Sequence, residues 1–489
     1  MRKLIAFILA LALLLSNFGF AVSAAREHKW GVLTYEVSSE NITITEIDSS
    51  VDYDLKIPER ILGKTVTGIC LNQEHHCKAK SISVPKTVTN LSISDFRGEF
   101  IVDSENEHYF ADETGALYEY LNKEKTELRL IFFPDKPVKN YSVIYGTVEI
   151  GDRILAGRSE ELRMDSLTLP STIKKSFKME YCNIGTLIIP GSIKKIENYS
   201  FSSCQFGKLV FSEGIESFDG NVISISSVDE LVLPASLKSI SDDAFNGSGF
   251  GKITVAPQSK YFYTDENGVL FNKDKSALLL YPDRSLAKSY KVPDTVVTIG
   301  VQAFGAADNL ESIELSENLK RIELAAFYGF DSSEKNMVIP QGTEYIGAYC
   351  FEYFNVNELV IPVSLKQIGE HSLDCRKIYY EGTKEQWETL VAGVDYECNQ
   401  KAELIFNYVY PGSKSETSTE ETIDVTDEHK SESLVASSEI QTTFPESNNS
   451  VKEELKQSDK TKALVAVCIV ILMLVAVSVL IAKKKAKRK

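Results

Sequence analysis

Apolar residues recur along the middle of the chain at fixed distances from a proline or serine anchor. Counting from Pro234, apolar side chains stand at +3 and +6 (Leu237, Ile240), and a small residue followed by phenylalanine stands at +10 and +11 (Ala244, Phe245). The same pattern, with leucine replacing phenylalanine in the last case, follows four other anchors: Pro190, Pro293, Ser316 and Pro362. The anchors between positions 170 and 234 lie 20 to 22 residues apart. This period predicts a solenoid of stacked repeats, each making one turn that we call a coil.

The residues just before each anchor predict short β-strands. The tripeptides Leu187-Ile188-Ile189 and Leu231-Val232-Leu233 each precede a proline, which fits at a strand end because it lacks an amide donor for the next ladder bond. Two segments, 101–134 and 255–282, interrupt the period and resemble each other. Each has a Gly-x-Leu-aromatic run between two turns, so we expect each to form a longer repeat with a β-hairpin.

Both ends of the chain carry membrane-related signals. Residues 1–24 combine Arg2 and Lys3 with an apolar run and a small-residue site ending at Ala24, which is typical of a secretory signal peptide. Residues 463–482 are 20 consecutive uncharged residues, enough to cross about 30 Å of hydrocarbon as a helix. Basic residues dominate the tail at 483–489, which predicts a cytoplasmic C-terminus and extracellular repeats.

Six segments follow from these observations: a signal peptide at 1–24, an N-terminal β cap at 25–57, repeats with a C-terminal cap at 58–410, a disordered Ser/Thr/Glu-rich stalk at 411–461, a transmembrane helix at 462–482 and a basic cytoplasmic tail at 483–489. The β cap is expected because the first coil of a solenoid exposes an apolar end that must be covered. The stalk has too few large apolar residues to fold. Its root-mean-square reach would be on the order of 40 Å.

The charge of the chain argues against nucleic acid as a partner. The formal net charge is −16, and it becomes −25 for residues 25–461 once the nine basic residues of the two ends are set aside. Nucleic-acid binding depends on neutralising phosphates with Lys and Arg, so an acidic exterior opposes it.

The repeat consensus resembles the BspA-like leucine-rich repeats, also called the Treponema pallidum type. The best match runs from Lys291 through Pro293, Val296 and Ile299 to Phe304. The resemblance implies a mainly β, curved leucine-rich-repeat solenoid on a microbial surface, in a family with members that bind host matrix proteins or mediate aggregation. Two repeats depart from the pattern: Ser176 stands at an aliphatic +6 position, and Val222-Ile223 replaces Ala-Phe. We expect local irregularity there.

Catalytic motifs and metal-ligand spacings are missing from the sequence, so we expect neither an enzyme nor a cofactor. Cys70, His75, His76 and Cys77 crowd into one loop, whereas zinc sites pair close ligands with a second pair further along. We interpret this loop as exposed, with Cys70–Cys77 as a candidate small disulfide and no metal.

Cys182 and Cys204 each stand eight residues before the next anchor, so stacking should place them on adjacent coils about 5 Å apart. That spacing is compatible with a disulfide, and the alternative is two buried thiols. Cys350 occupies a small +10 position and should be a core residue. Cys375 and Cys398 should pack near the C-terminal cap, and Cys468 lies in the predicted membrane helix.

The candidate ligand-binding surface is the face of the predicted sheet. The residue two before each anchor should point away from the core because side chains alternate along a strand. These positions form an expected exposed row: Ile188, Val210, Val232, Thr254, Glu314, Val338 and Val360. The positions four before the anchor add charge beside the row, notably Lys208, Glu230 and Lys252. The competing interpretation is that β-branched residues simply favour strands.

These observations predict a membrane-anchored binding or adhesion protein, single-pass with extracellular repeats, on a bacterial surface. Its ligand would be an extracellular protein or glycan held along the repeat face. One alternative is a structural component of the cell envelope that binds its own neighbours. A second alternative is the ligand-binding subunit of a receptor complex, since a tail of seven residues requires a signalling partner.

Overall fold

The computed structural model describes residues 27–410, except 72–76, 94–95, 153, 156–162, 306, 308, 331–335, 354–356 and 397–401. The predicted signal peptide, stalk, membrane helix and tail lie outside the described residues, as do His75, His76, Cys398 and Cys468. Within the described part, the chain is mainly β, a solenoid of stacked repeats with one short α-helix. That part contains no helix long and apolar enough to cross a membrane.

The N-terminal strands build a buried core of their own. They are β1 (His28–Trp30), β2 (Leu33–Ser38), β3 (Asn41–Ile47), β4 (Asp54–Lys56), β5 (Arg60–Ile61), β6 (Lys64–Leu71), β7 (Ser81–Val84), β8 (Asn90–Ile93) and β9 (Glu99–Val102). β3 buries Ile42 and Ile44 by alternation, and Ile47 is buried at its end. β3 pairs antiparallel with β2 and parallel with β6, so one sheet leads from the N-terminal hairpin into the repeats.

The first segment that interrupts the period forms a three-stranded antiparallel meander. Its strands are β10 (Tyr109–Ala111), β11 (Leu117–Tyr120) and β12 (Leu128–Phe132). The turn before β11 contains Gly115 at φ +81°, a conformation that glycine adopts without steric cost. The predicted Gly-x-Leu-aromatic strand is therefore present as β11.

Residues 140–255 form regular coils with three strand-bearing sides. Their strands are β13 (Asn140–Ser142), β14 (Thr147–Ile150), β15 (Met164–Thr168), β16 (Met179–Glu180), β17 (Asn183–Ile189), β18 (Lys195–Ile196), β19 (Phe201–Ser202), β20 (Gln205–Phe211), β21 (Ser217–Phe218), β22 (Ile223–Ser224), β23 (Ser227–Leu233), β24 (Ser239–Ile240) and β25 (Gly249–Val255). The longest strands form one six-stranded parallel sheet in the order β13-β15-β17-β20-β23-β25. Shorter strands form the sheets β16-β19-β22 and β18-β21-β24.

A second meander starts the C-terminal coils. The strands there are β26 (Phe262–Thr264), β27 (Leu270–Asn272), β28 (Ala277–Leu280), β29 (Ser289–Lys291), β30 (Thr298–Ile299), β31 (Ser312–Glu314), β32 (Arg321–Ile322), β33 (Asn336–Val338), β34 (Tyr345–Ile346), β35 (Glu358–Ile361), β36 (Gln367–Ile368), β37 (Lys377–Tyr380) and β38 (Glu403–Ile405). They form three sheets: β26-β27-β28-β30-β32-β34-β36, β29-β31 and β33-β35-β37-β38. The helix α1 (Lys384–Leu390) begins with a capping box and buries Trp387.

A tight turn at each anchor explains the apolar spacing. The anchor carbonyl accepts a hydrogen bond from the backbone N–H three residues later, as from Ile193 to Pro190 at 3.1 Å and from Val296 to Pro293 at 2.9 Å. The +3 and +6 side chains after the turn enter the core, and the +11 rings stack between coils. Phe304, Phe327 and Phe351 form a three-ring stack with centroid separations of 5.2 and 5.3 Å.

The coil that starts at Pro234 departs from this rule. Its +6 and +11 side chains, Ile240 and Phe245, are half-buried, although the spacing predicts them as core residues. The reason is a break between two sheets: β24 ends one sheet, and the next sheet begins with the second meander.

The two repeats expected to be irregular both fit the core. Ser176 Oγ makes a 2.8 Å hydrogen bond with Ser200 Oγ, and the neighbouring Phe177 supplies the buried side chain. Val222 and Ile223 are fully buried where alanine and phenylalanine stand elsewhere. Each departure from the pattern therefore still places buried apolar side chains at that point of the coil.

Candidate functional site

Four of the predicted surface residues form a continuous row on the six-stranded sheet. Along β17, β20, β23 and β25, buried side chains alternate with Ile188, Val210, Val232 and Thr254. The register pairs each of these four residues directly with the next across adjacent strands. We call them the sheet-face row. Ile188 is 45% exposed, and the other three are half-buried.

The sheet-face row extends further than the sequence analysis predicted. The register continues from Ile188 to Thr168 on β15 and then to Ser142 on β13. Thr168 stands two residues before Pro170, so the same counting rule finds it. Ser142 precedes no anchor of the series, and only the strand pairing reveals it.

The charged positions predicted beside the row lie where expected. Lys208, Glu230 and Lys252 are paired in register on adjacent strands, and the uncharged Thr186 precedes them in the same line. Lys208 Nζ lies 3.0 Å from a carboxylate oxygen of Glu230, and Lys252 is exposed. The apolar row is therefore bordered by a cross-strand ion pair and an additional lysine.

The C-terminal members of the predicted row do not join this surface. Glu314 lies on β31, in a two-stranded sheet with β29. Val338 and Val360 pair with each other in a third sheet, and Val360 is only 5% exposed. The prediction of an exposed side chain at Val360 was wrong because the next strand carries Tyr379 at the matching position, and the Tyr379 ring packs on Tyr408.

Charges elsewhere on the coils are neutralised in pairs between neighbouring turns. Lys195–Asp219, Lys238–Glu216 and Lys366–Glu344 have nitrogen–oxygen distances of 2.5, 2.6 and 2.8 Å. The hydrogen bond to the lysine lowers the pKa of each of these three carboxyl groups. These are solvent-exposed surface pairs, and such pairs contribute little to stability. They maintain charge balance between coils rather than create a reactive group.

The predicted adjacency of Cys182 and Cys204 is present, but the disulfide is not. The residues that follow them, Asn183 and Gln205, are strand partners, and both sulfurs are buried thiols. The Cys182 thiol donates to the Leu155 carbonyl, and the Cys204 thiol contacts the Ser202 carbonyl at 3.3 Å. A hydrogen bond with Cys182 lowers the pKa of Cys204. Carbonyl acceptors hold the two thiols in place of the candidate bond.

The other described cysteines are also thiols. Cys350 is fully buried and burial raises its pKa, as expected for a core residue, and Cys375 is buried as well. Cys70 and Cys77 are half-buried, are not joined to each other, and have pKa values raised by burial. Within the described ranges, no three His, Cys, Asp or Glu side chains are grouped as metal ligands.

No curated protein matches this chain. Among solved structures, a leucine-rich cell surface protein from Faecalibacterium prausnitzii has a TM-score of 0.43 and 17% identity, covering 75% of this chain and 98% of that one. The pneumococcal vaccine antigen PcpA has a TM-score of 0.41 and 17% identity, covering 79% and 99%. A leucine-rich repeat protein from Bacteroides ovatus has a TM-score of 0.37 and 15% identity, covering 78% and 99%.

These structures are too distant to assign a ligand to this chain. The comparison with protein families is more specific. The model of the BspA type leucine rich repeat region matches this chain in six copies, over residues 153–266 and 283–390. The matched ranges contain the sheet-face row from Thr168 to Thr254 and the three-ring stack. Within residues 153–266 and 283–390, this chain matches BspA-type leucine-rich repeats.

Proposed function

We propose that this protein is a non-enzymatic cell-surface binding protein that recognises an extracellular protein or glycan through the sheet-face row. The signal peptide, stalk, membrane helix and basic tail predicted from the sequence support a single-pass protein with extracellular repeats on a bacterial cell. The BspA-type repeats are consistent with a binding role.

The observation that carries this proposal is the in-register row across adjacent parallel strands, in which Ile188, Val210 and Val232 form an aliphatic centre between hydroxyl-bearing ends. From Ser142 to Thr254 the row crosses six strands. At the usual strand spacing it extends about 24 Å. An exposed aliphatic strip bordered by charge is suited to protein recognition, because interfaces combine an apolar centre with a polar rim. Ile188 is exposed although it stands between two fully buried neighbours, Leu187 and Ile189.

A binding experiment on matched variants tests the proposal. The full-length protein is applied to immobilised matrix proteins, mucins and fractions of its own cell envelope. The test variant changes Ile188, Val210 and Val232 to Thr, which keeps the β-branched shape and removes the apolar surface. A second variant changes the same residues to Asp. The control variant changes Tyr181, Tyr199 and Ile225 to Asp, because they lie on the turns of the same coils and are more exposed than the row residues.

Saturable binding that weakens at least tenfold in the Thr variant, and is unchanged in the control, would support recognition through the sheet-face row; a tenfold loss corresponds to about 1.4 kcal/mol. Equal binding by all variants would contradict it. Retention by the cell's own envelope alone would favour the structural alternative. Co-purification with a membrane kinase or transporter would favour the receptor-subunit alternative.

A further inference from the structure

A cavity of about 460 Å³ lies at the break between the two sets of coils. Its walls come from the end of β24, the end of β28 and the turn after β30. Gly247 N donates a 3.1 Å hydrogen bond to Gln302 Oε1, which connects the two sides across 55 residues of sequence. The volume lies within the usual range of small-molecule sites, about 300–1,000 Å³.

The break leaves core positions of the repeat open to the cavity. Ile240 and Phe245 line it, and they are the +6 and +11 residues that are buried in the other regular coils. Leu279 and Val301 continue the apolar wall, and Tyr328 contributes an exposed ring. The coil at Pro234 therefore exposes apolar surface to this space that stacking would otherwise cover.

Polar groups in the wall are held in place by hydrogen bonds. Asp283 Oδ1 accepts a 2.5 Å bond from Phe250 N, which leaves Oδ2 as an acceptor. Gly249 makes room for this carboxylate, because a Cβ at Gly249 would lie 2.8 Å from Asp283 Oδ2. Gln302 Oε1 is engaged by Gly247, so the remaining capacity of that side chain is its two N–H donors.

The charge of the wall restricts the ligand. The described lining residues include the carboxylates Asp242 and Asp283 but no Lys, Arg or His, which opposes an anion. The adjacent Arg284 is engaged with Asp229 at 3.0 Å and does not line the cavity. An organic ammonium would suit the carboxylates, but it has no acceptor for the amide N–H donors of Asn246 and Gln302. A hydroxyl group both donates and accepts, so it suits both kinds of partner.

We propose that this cavity binds a neutral sugar, with the ring's C–H face on Ile240 and Phe245 and its hydroxyls on Asp283 and Gln302. The site is separate from the sheet-face row and does not depend on the proposed function of that row. It lies where the repeat pattern breaks, which also explains why two core positions are half-buried.

Saturation-transfer NMR on the full-length protein tests this site. The probes are glucose, galactose, mannose, N-acetylglucosamine and their disaccharides, with sialic acid and spermidine as charged comparators. Asp283→Asn keeps the bond from Phe250 but removes the carboxylate. Gln302→Glu keeps the acceptor for Gly247 but removes both N–H donors. Thermal unfolding of each variant verifies that the fold is retained, and the Ile188, Val210 and Val232 to Thr variant serves as a distal control.

Saturable binding of a neutral sugar, weakened about tenfold or more in Asp283→Asn and in Gln302→Glu but unchanged in the distal control, is the expected result. Three results would overturn the proposal: no probe sugar binds up to about 10 mM, sugar binding is unaffected by both substitutions, or spermidine binds and Gln302→Glu tightens it. Tighter binding of spermidine by the Gln302→Glu variant would identify a cation site, because this substitution adds a carboxylate. Loss of sugar binding in the distal control alone would indicate that the sugar binds at the sheet-face row instead of the cavity.

Discussion

The two meanders hold the coils that follow them through matching tyrosine–aspartate pairs. In the first, Tyr141 donates to Asp112 Oδ2 at 2.8 Å, and the Tyr118 hydroxyl lies 2.5 Å from the Tyr141 hydroxyl. In the second, Tyr290 donates to Asp265 Oδ2 at 2.9 Å, and Phe271 stands at the position that matches Tyr118. The two sites differ in having Tyr118 or Phe271 beside the tyrosine–aspartate pair, so the effect of one substitution on stability can be compared between them.

The free energy of unfolding should respond differently to the same substitution at the two sites. Tyr290→Phe removes one hydrogen bond to a charged group, worth about 1.5–3 kcal/mol. Asp265 Oδ1 keeps the backbone amides of Asn267 and Val269 at 3.0 and 2.9 Å. Tyr141→Phe removes the equivalent bond and also the acceptor for the buried Tyr118 hydroxyl. Leaving that O–H donor without an acceptor adds about 1–3 kcal/mol, although the oxygen still accepts a 3.4 Å bond from Ile144 N.

Urea denaturation of the full-length protein, followed by tyrosine fluorescence and far-ultraviolet circular dichroism, measures the difference. Adding Tyr118→Phe to Tyr141→Phe should cause little further loss, because it removes the unsatisfied O–H donor and forfeits only the long 3.4 Å bond from Ile144 N. Tyr145→Phe is the control, since this side chain is 77% exposed and should change stability by less than about 0.5 kcal/mol. Equal losses at Tyr141 and Tyr290, or additive losses in the double variant, would refute the reasoning.

Three further predictions concern stability and cysteine chemistry. Burial raises the pKa of Tyr141 and Tyr290. The stability that these two residues contribute is therefore complete below the unfolded tyrosine pKa of about 10 and falls as pH rises above it. Between pH 8 and 11, the urea midpoint of Tyr290→Phe should fall less than that of the unmodified protein. Phe327→Ala removes the middle ring of the three-ring stack and should cost about 3–5 kcal/mol by urea denaturation, where a loss below about 1 kcal/mol would contradict the packing. Cys182 and Cys204 should resist thiol reagents until the protein unfolds, and a linked peptide in a non-reducing digest would contradict their thiol state.

The apolar spacing predicted the core because each offset has a local physical cause. The anchor turn explains +3, and the stacked rings explain +11. The backbone at +9 was not predictable in this way. Tyr199, Ala325 and Tyr349 adopt positive φ there without glycine, so no residue type signals the turn. Stacking on neighbouring coils imposes the conformation against the usual preference of these residues.

The surface was predictable only where coils repeat without interruption. Ile188, Val210 and Val232 share a row because three successive coils have the same length. The prediction that Val360 is exposed was wrong because its exposure depends on Tyr379, which belongs to the C-terminal cap rather than to the repeat. The cavity beside Asp283 depends on a contact across 55 residues between Gly247 and Gln302. Neither local spacing nor strand alternation contains that information.

Alternation along the strands also separates the residues that stabilise the fold from those offered to a ligand. Leu187, Leu209 and Leu231 are fully buried, whereas the neighbouring residue on each strand belongs to the sheet-face row. Changing the row to Thr leaves every core contact in place, and Thr254 already occupies one position. Three Asp in register would instead place like charges on adjacent strands, which is destabilising by itself. A loss of binding in the Thr variant therefore reports on recognition, whereas the same loss in the Asp variant mixes recognition with stability.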